Sequence, residues 1–252
     1  MREMLLGVPV DMLTLDDAIR AAEGWVRDGG HRYICLLDAR SVLAARDDDA
    51  VAAAMAGAAI AGPDGMPLVW LGRRRGHRVE RVYGPDFMTA LLDATARWSD
   101  RACRHALVGS TPAILARLEQ RLRARHPGAV IAGTLAPPMG RWDDAEDARI
   151  RAAIEAMAAD IVWVGLSSPQ QDLWMARQRG RLSAPLLVGV GAAFDFLSGN
   201  KPQAPRWLRR LGFEWLFRLT TEPRRLGRRY AATVPRFALL ALREELARRR
   251  RP

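Results

Sequence analysis

Up to about residue 190, apolar positions alternate between two periods. Residues 16–26 place Ile19, Ala22 and Val26 on one side of a helix, with Leu15 just ahead of them. Residues 32–37, apolar from Tyr33 onward, then read as a buried strand. The Ala-rich stretch 39–59 predicts helix, with Asp47-Asp48-Asp49 either capping a new helical segment or lying on a wet face. A short strand over 58–61 leads into Gly62-Pro63-Asp64-Gly65, and helices follow at 67–74 and 86–99. Further on, strands at 102–108, 130–135, 160–165 and 185–190 alternate with helices at 113–126, 145–158 and 172–181. This rhythm predicts an α/β fold: a Rossmann-like, mostly parallel sheet flanked by helices. No repeat of fixed period is visible.

Beyond residue 200 the pattern changes. Trp207, Leu211, Trp215 and Leu219 recur at steps of four, thickened by Leu208, Leu216 and Phe217 and interleaved with arginines. Pro235 precedes another apolar segment, 237–242, and the chain ends in Arg248-Arg249-Arg250-Arg251. Charge sharpens the division. Residues 201–252 hold fifteen basic and four acidic side chains, which accounts for the whole net charge of +11; residues 1–200 are neutral. The expected organisation is a body, 1–200, and a basic amphipathic helical appendage, 201–252. Such asymmetry points to an anionic partner: nucleic acid, a phosphorylated ligand or an anionic membrane surface. A Trp- and Arg-rich amphipathic segment has the composition of a membrane-surface element, and reads alternatively as a packed core helix with a basic rind.

Composition narrows the class. At 49% hydrophobic over 252 residues the chain can bury a sizeable core, which excludes a disordered protein. Cys35 and Cys103 both lie in apolar runs and read as buried free thiols of a reducing cytosol. No apolar run reaches the length of a membrane-spanning helix, and the N-terminal apolar stretch is too short for a secretory signal. Zinc-type spacing of Cys and His is missing, so neither a metal nor another cofactor is expected.

In α/β folds, ligands bind outside the carboxyl ends of the strands. The loops predicted there are small and Gly-rich: Leu37-Asp38-Ala39, Gly62-Pro63-Asp64-Gly65, Gly109-Ser110-Thr111, 165–171 and Gly189-Val190-Gly191. Such backbone can approach a phosphate or sugar closely. Asp64, flanked by Gly and Pro after a strand, is placed as a catalytic base; it reads equally as a turn or N-cap Asp. Gly109-Ser110 resembles a phosphate cradle at a helix start, or an ordinary cap followed by Pro112. Arg81 reads as an anion partner or a surface charge, and Gln171-Asp172 as ligand contacts or helix-start residues. Ser168 lacks the Gly-x-Ser-x-Gly elbow of a hydrolase, and Gly189-Val-Gly191 lacks dinucleotide spacing.

Several blocks, in order, resemble the WecG/TagA/CpsF family of bacterial glycosyltransferases (glycosyltransferase family 26). They are Gly62-Pro-Asp-Gly65, Arg81-Val-Tyr-Gly-Pro-Asp86, Val108-Gly-Ser110 and Val164-Gly-Leu-Ser-Ser-Pro-Gln-Gln-Asp172. Gly189-Val-Gly-Ala-Ala-Phe-Asp-Phe-Leu-Ser-Gly199, Gly212-Phe-Glu-Trp-Leu-Phe-Arg218 and Glu222-Pro-Arg-Arg225 complete the series. The resemblance implies an inverting, metal-independent transferase. It would move a hexose, N-acetylhexosamine or its uronic acid from a UDP-sugar to a polyprenyl-diphosphate-linked saccharide at the inner face of the plasma membrane. Asp64 matches the family's base. Arg81, Gly109 and Ser110 would meet the leaving diphosphate, and Asp38, Gln171 and Asp195 the donor. Arg218, Arg224, Arg225 and Arg228 would meet the acceptor's diphosphate and the membrane. Three departures from the family pattern involve four positions. Leu36 and Asp38 replace a Thr-x-Asn pair, so that Asp38 competes as a second carboxylate; Asp172 replaces Glu; and Gln203 replaces Arg. The alternatives are a nucleotide-sugar enzyme with a soluble acceptor and a nucleic-acid-binding protein. Successive Gly-rich loops and the lack of a recognition helix disfavour nucleic acid. A homo-oligomer is compatible with every reading.

Overall fold

The computed structural model describes residues 1–140 and 142–249. Six strands form one parallel sheet: β3 (Arg32–Leu37), β4 (Ile60–Pro63), β5 (Arg104–Gly109), β6 (Val130–Leu135), β7 (Ile161–Gly165) and β8 (Leu186–Gly189). Their order across the sheet is β4-β3-β8-β7-β5-β6. Both faces are covered, which is why the strands read as continuous apolar runs. In β3, Tyr33, Cys35 and Leu37 enter the core on one face and Ile34 and Leu36 the core on the other. Val162 and Val164 of β7 likewise face opposite to Ile161 and Trp163. The α/β, Rossmann-like expectation holds. Cys35 and Cys103 are buried and free, and burial pushes the Cys35 thiol well up.

Helices α1 (Leu15–Asp28), α4 (Met66–Arg74), α5 (Gly84–Ala96), α6 (Pro112–Arg125), α7 (Asp144–Glu155) and α8 (Gln170–Gln178) fall close to their predicted places. The predicted helix over 39–59 is two, α2 (Ala39–Asp47) and α3 (Asp49–Ala56), with Asp48 between them. Asp48 leaves helical geometry and accepts from the backbone N–H groups of Ala50 and Val51 (2.9 and 3.2 Å). The acidic run is thus a cap, and Asp47 pairs with Arg236 (2.5 Å). Replacing Asp48 by Ala leaves those N–H groups without their side-chain acceptor, and is expected to cost about 1 kcal/mol of stability, read as a lower melting temperature.

Three elements were not anticipated. A hairpin of β1 (Arg2–Leu5) and β2 (Val8–Asp11) opens the chain, and α9 (Ala193–Leu197) follows β8. The stripe at 207–219 is split into α10 (Arg206–Arg210) and α11 (Glu214–Thr221). The break falls at Gly212, whose φ of +81° suits glycine and where an added Cβ would lie 2.7 Å from the Trp70 ring.

The last helix, α12 (Pro223–Arg249), runs through Pro235. Both Pro235 and Ala231, whose carbonyl loses its partner there, are exposed, which leaves the freed oxygen open to solvent. This helix is fastened to the body. Phe237 is buried in the core on one face of the sheet, α12 packs against α2, and Arg75, with a side chain only 2% exposed, pairs with Glu3, Glu244 and Glu245. Among the described residues no helix is long and apolar enough to cross a membrane.

Candidate active site

The chain leaves β5 toward β6 and β7 toward β8, so their helices diverge and a crevice opens at their carboxyl ends. There Gly109, with φ +128°, touches Gly165: a Cβ on Gly109 would stand 2.7 Å from the Gly165 carbonyl. Ser110 follows with φ 60°, and Thr111 caps α6 by accepting from Ile114 N. Capping thus belongs to Thr111, and the Gly109-Ser110 backbone forms the tight turn before it.

A cleft of about 720 Å³ lies over the carboxyl ends of β3, β4 and β8 and is walled on the far side by α11 and α12. Asp38, Asp64 and Arg81 line it together, joined by Arg218. Asp64 sits where it does because its own N–H and that of Gly65 both donate to the Leu37 carbonyl (2.8 and 3.0 Å), pinning the turn to the end of β3. The side chain does not cap α4, whose first residue follows an uncapped Gly65. Instead Asp64 Oδ1 lies 3.2 Å from Arg81 Nη2, and Arg81 Nε donates to the Asp64 carbonyl. Burial pushes the Asp64 carboxyl up to about 7; Arg81 opposes this, while Glu214 and Asp38 add to it.

Glu214 comes from the segment beyond residue 200. It is buried, accepts from Arg81 Nη1 (2.7 Å) and from Tyr83 Oη (2.9 Å), and closes a chain Asp64–Arg81–Glu214–Tyr83. Arg81 also stacks on Tyr83, its guanidinium carbon 4.0 Å from the ring centroid. Burial opposes the Arg81 charge, yet Asp64 and Glu214 outweigh it and raise its pKa. Burial and the Glu214 charge also raise the Tyr83 phenol. Gln203, the departure before Ala204-Pro205, donates to Tyr83 Oη (3.2 Å).

The cationic side of the cleft holds Arg40, Arg218 and Arg229. Arg40 donates to the Ser168 carbonyl (2.7 Å), tying α2 to the loop after β7. Arg218 lies over Phe196, 5.6 Å from its centroid, and its Nε is buried without a hydrogen bond. Burial lowers the Arg229 pKa, a hydrogen bond to Tyr230 opposes this, and the charges of Arg40 and Arg218 add to the lowering.

The remaining expected residues differ in their distance from this centre. Asp38 caps α2, accepting from Ser41 N and Ser41 Oγ (2.8 and 3.0 Å), with its carboxylate exposed at the cleft edge. Gln171 is buried beneath Gly189 and Gly191, and its Oε1 has no hydrogen-bond donor. Asp172 beside it is buried, accepts from Ser168 Oγ (2.5 Å) and has its pKa raised by burial. Asp195 accepts from Asn200 and pairs with Lys201 (3.1 Å). Gly109, Ser110, Gln171 and Asp195 do not line the cleft. Arg224 and Arg228 are exposed, and the Arg225 side chain lies outside the described residues. Trp207, Leu211, Trp215 and Leu216 all stay exposed on α10 and α11.

Tyr83, Glu214, Arg40 and Arg229 escaped the sequence reading. For Arg229 a signal existed: Thr233 and Phe237 follow it at steps of four, and Phe237 is buried, so Arg229 turns toward the body.

The parallel sheet and the cleft at its carboxyl ends define a Rossmann-like α/β enzyme. The sequence profile of the Glycosyl transferase WecG/TagA/CpsF family matches residues 3–251, nearly the whole chain. The chain belongs to that family. It is a glycosyltransferase of cell-surface polysaccharide synthesis, which takes a nucleotide-sugar donor and an acceptor.

Proposed function

We propose that the protein transfers a hexose or N-acetylhexosamine unit from a UDP-sugar to a polyprenyl-diphosphate-linked saccharide, with inversion and without a metal, at the inner face of the plasma membrane. The observation that carries this reading is the Asp64 carboxylate, held at a raised pKa beside Arg81 in a cleft that Arg40, Arg218 and Arg229 also line. Asp64 removes the proton of the acceptor hydroxyl as that oxygen attacks the anomeric carbon, and the bond to UDP breaks on the opposite face. Arg81 and the N–H groups at Gly109-Ser110 offset the charge gathering on the departing diphosphate. Gln171 and Asp195 serve the donor side. Asp38 stands at the edge of the cleft as the second carboxylate.

Arg40, Arg218 and Arg229 hold the diphosphate of the acceptor as forked donors. Arg40 and Arg229 join the set because they converge with Arg218, whereas Arg224 and Arg228 face outward and serve the membrane, as does Arg225 in this reading. The body, 1–200, binds the donor. The appendage, 201–252, docks on anionic lipid through its arginines and the exposed Trp207 and Trp215. Among the described residues no three Asp, Glu, His or Cys side chains are grouped as metal ligands, and the guanidinium groups supply the positive charge a cation would otherwise bring.

A panel of UDP-sugars offered with a short-chain lipid-diphosphate acceptor tests the reading. One donor is expected to be used and to remain in use in EDTA. Loss of transfer in EDTA, restored by Mg²⁺ or Mn²⁺, would overturn the arginine-based account of the leaving group.

A further inference from the structure

The cleft continues past the arginines as an apolar channel between two helices. On α4, Met66 and Trp70 share one face; on α12, Val234, Phe237, Ala238 and Ala241 share another, and all six line the cleft. The spacing is helical on both sides, so each set forms a stripe. The stripe on α12 starts at Arg229, beside Arg218 and Arg40, and reaches Ala241, roughly 18 Å away at 1.5 Å per residue. The ends are matched. Met66 stands two residues from Asp64, and beyond Trp70 the ion pair Arg74–Glu245 (3.4 Å) ties α4 to α12. Trp70 and Val234 remain 48% and 46% exposed although they line this channel, and Ala238, which lines it with them, is exposed as well.

A ligand matching such walls has a multiply charged anionic head for the arginines and, directly attached, an apolar chain. A nucleotide-sugar has no such chain. A second copy of the protein would bring to the arginine end a surface that in this chain is rich in the same charge.

We propose that the channel between α4 and α12 is a binding site for the first isoprenoid units of the acceptor lipid, so that the enzyme grips the chain next to the diphosphate as well as the headgroup. This rests on the reading of the acceptor as a lipid diphosphate. The chain then supplies binding energy of its own and orients the diphosphate at Arg218 and Arg229, with the acceptor sugar toward Asp64. Membrane docking by α10 and α11 delivers the lipid; the channel selects its chain.

Calorimetric titration of the full chain with inorganic, dimethylallyl, geranyl and farnesyl diphosphate tests this below the concentrations at which these compounds form micelles. Affinity is expected to rise at least tenfold from dimethylallyl to farnesyl diphosphate. Ala238→Trp fills the channel and Val234→Glu places a carboxylate in it; both positions are exposed, so the fold tolerates them. Each variant should reduce the gain with chain length to under threefold while leaving inorganic diphosphate binding unchanged. Equal affinity for all chain lengths, or a gain that survives in both variants, overturns the proposal. So does a dimer in sedimentation that either variant dissociates, since the channel then belongs to a second copy. Transfer assays keep the two readings separate. Chain-dependent binding without transfer to any lipid-diphosphate acceptor leaves the site standing and removes the proposed function. Transfer that ignores chain length removes only the site.

Discussion

Asp64→Asn is expected to fold, to bind the UDP-sugar and to lose transfer by roughly 10²–10⁴-fold. Asn keeps the shape of the turn pinned on the Leu37 carbonyl, and Arg81 keeps its bond to Glu214. What disappears is the carboxylate proposed to take the hydroxyl proton. The same carboxyl sets the pH dependence. A base works ionised, and with its pKa raised to about 7 the wild-type rate should climb as pH rises from 6 to 8 and level off above. Glu214 contributes to that elevation, because a second negative charge behind Arg81 disfavours ionisation of Asp64. Glu214→Gln removes the charge and leaves Arg81 to favour the carboxylate, so the rising limb should move to lower pH. Rate–pH profiles of the three proteins check both statements. Near-normal turnover of Asp64→Asn would transfer the role to Asp38, and a Glu214→Gln limb displaced upward would break the link between the two carboxylates.

The parts of this molecule that could be read along the chain are those whose physics is local. Buried parallel strands are apolar without interruption, so β3, β5, β7 and β8 announce themselves, and the loops at their carboxyl ends mark where a ligand goes. Asp64 stood out because Gly and Pro flank it. The hairpin β1–β2 did not, since its strands have only four residues each and Gly7 and Pro9 interrupt the alternation. Pro235 does not end α12, because the carbonyl it frees lies on an exposed helix face. The partners of Asp64 depend on distance in sequence: Glu214 meets Arg81 only after the tail folds back over β4, 133 residues away in the chain. Composition flagged fourteen arginines beyond residue 200 as one cationic mass, yet folding divides them. Arg209 braces Asp86, Arg236 braces Asp47, and Arg218 and Arg229 turn into the cleft.

That division makes the arginines separable by experiment. Arg229→Ala is expected to reduce kcat/KM for the lipid-linked acceptor by about 10²-fold, and Arg218→Ala by a similar factor, through KM more than kcat. Each removes charge-assisted bonds to a diphosphate in a partly desolvated cleft, worth ~1.5–3 kcal/mol apiece. Arg224→Ala and Arg228→Ala, on the outer surface, should weaken sedimentation with anionic vesicles at low salt and change little in solution with a short-chain acceptor. Thermal stability distinguishes the inner pair from braces such as Arg75. In the free protein burial and the charges of Arg40 and Arg218 disfavour the Arg229 charge, and no carboxylate joins it among the described ion pairs, so Arg229→Ala should melt no lower than the wild type. Inorganic diphosphate should raise the wild-type melting temperature, since a ligand at 100 times its Kd adds ~2.7 kcal/mol to the folded state, and most of that rise should vanish in Arg229→Ala. A variant that melts early and loses activity in proportion would make Arg229 a structural brace. One that keeps the full diphosphate shift would move the anion site elsewhere in the cleft.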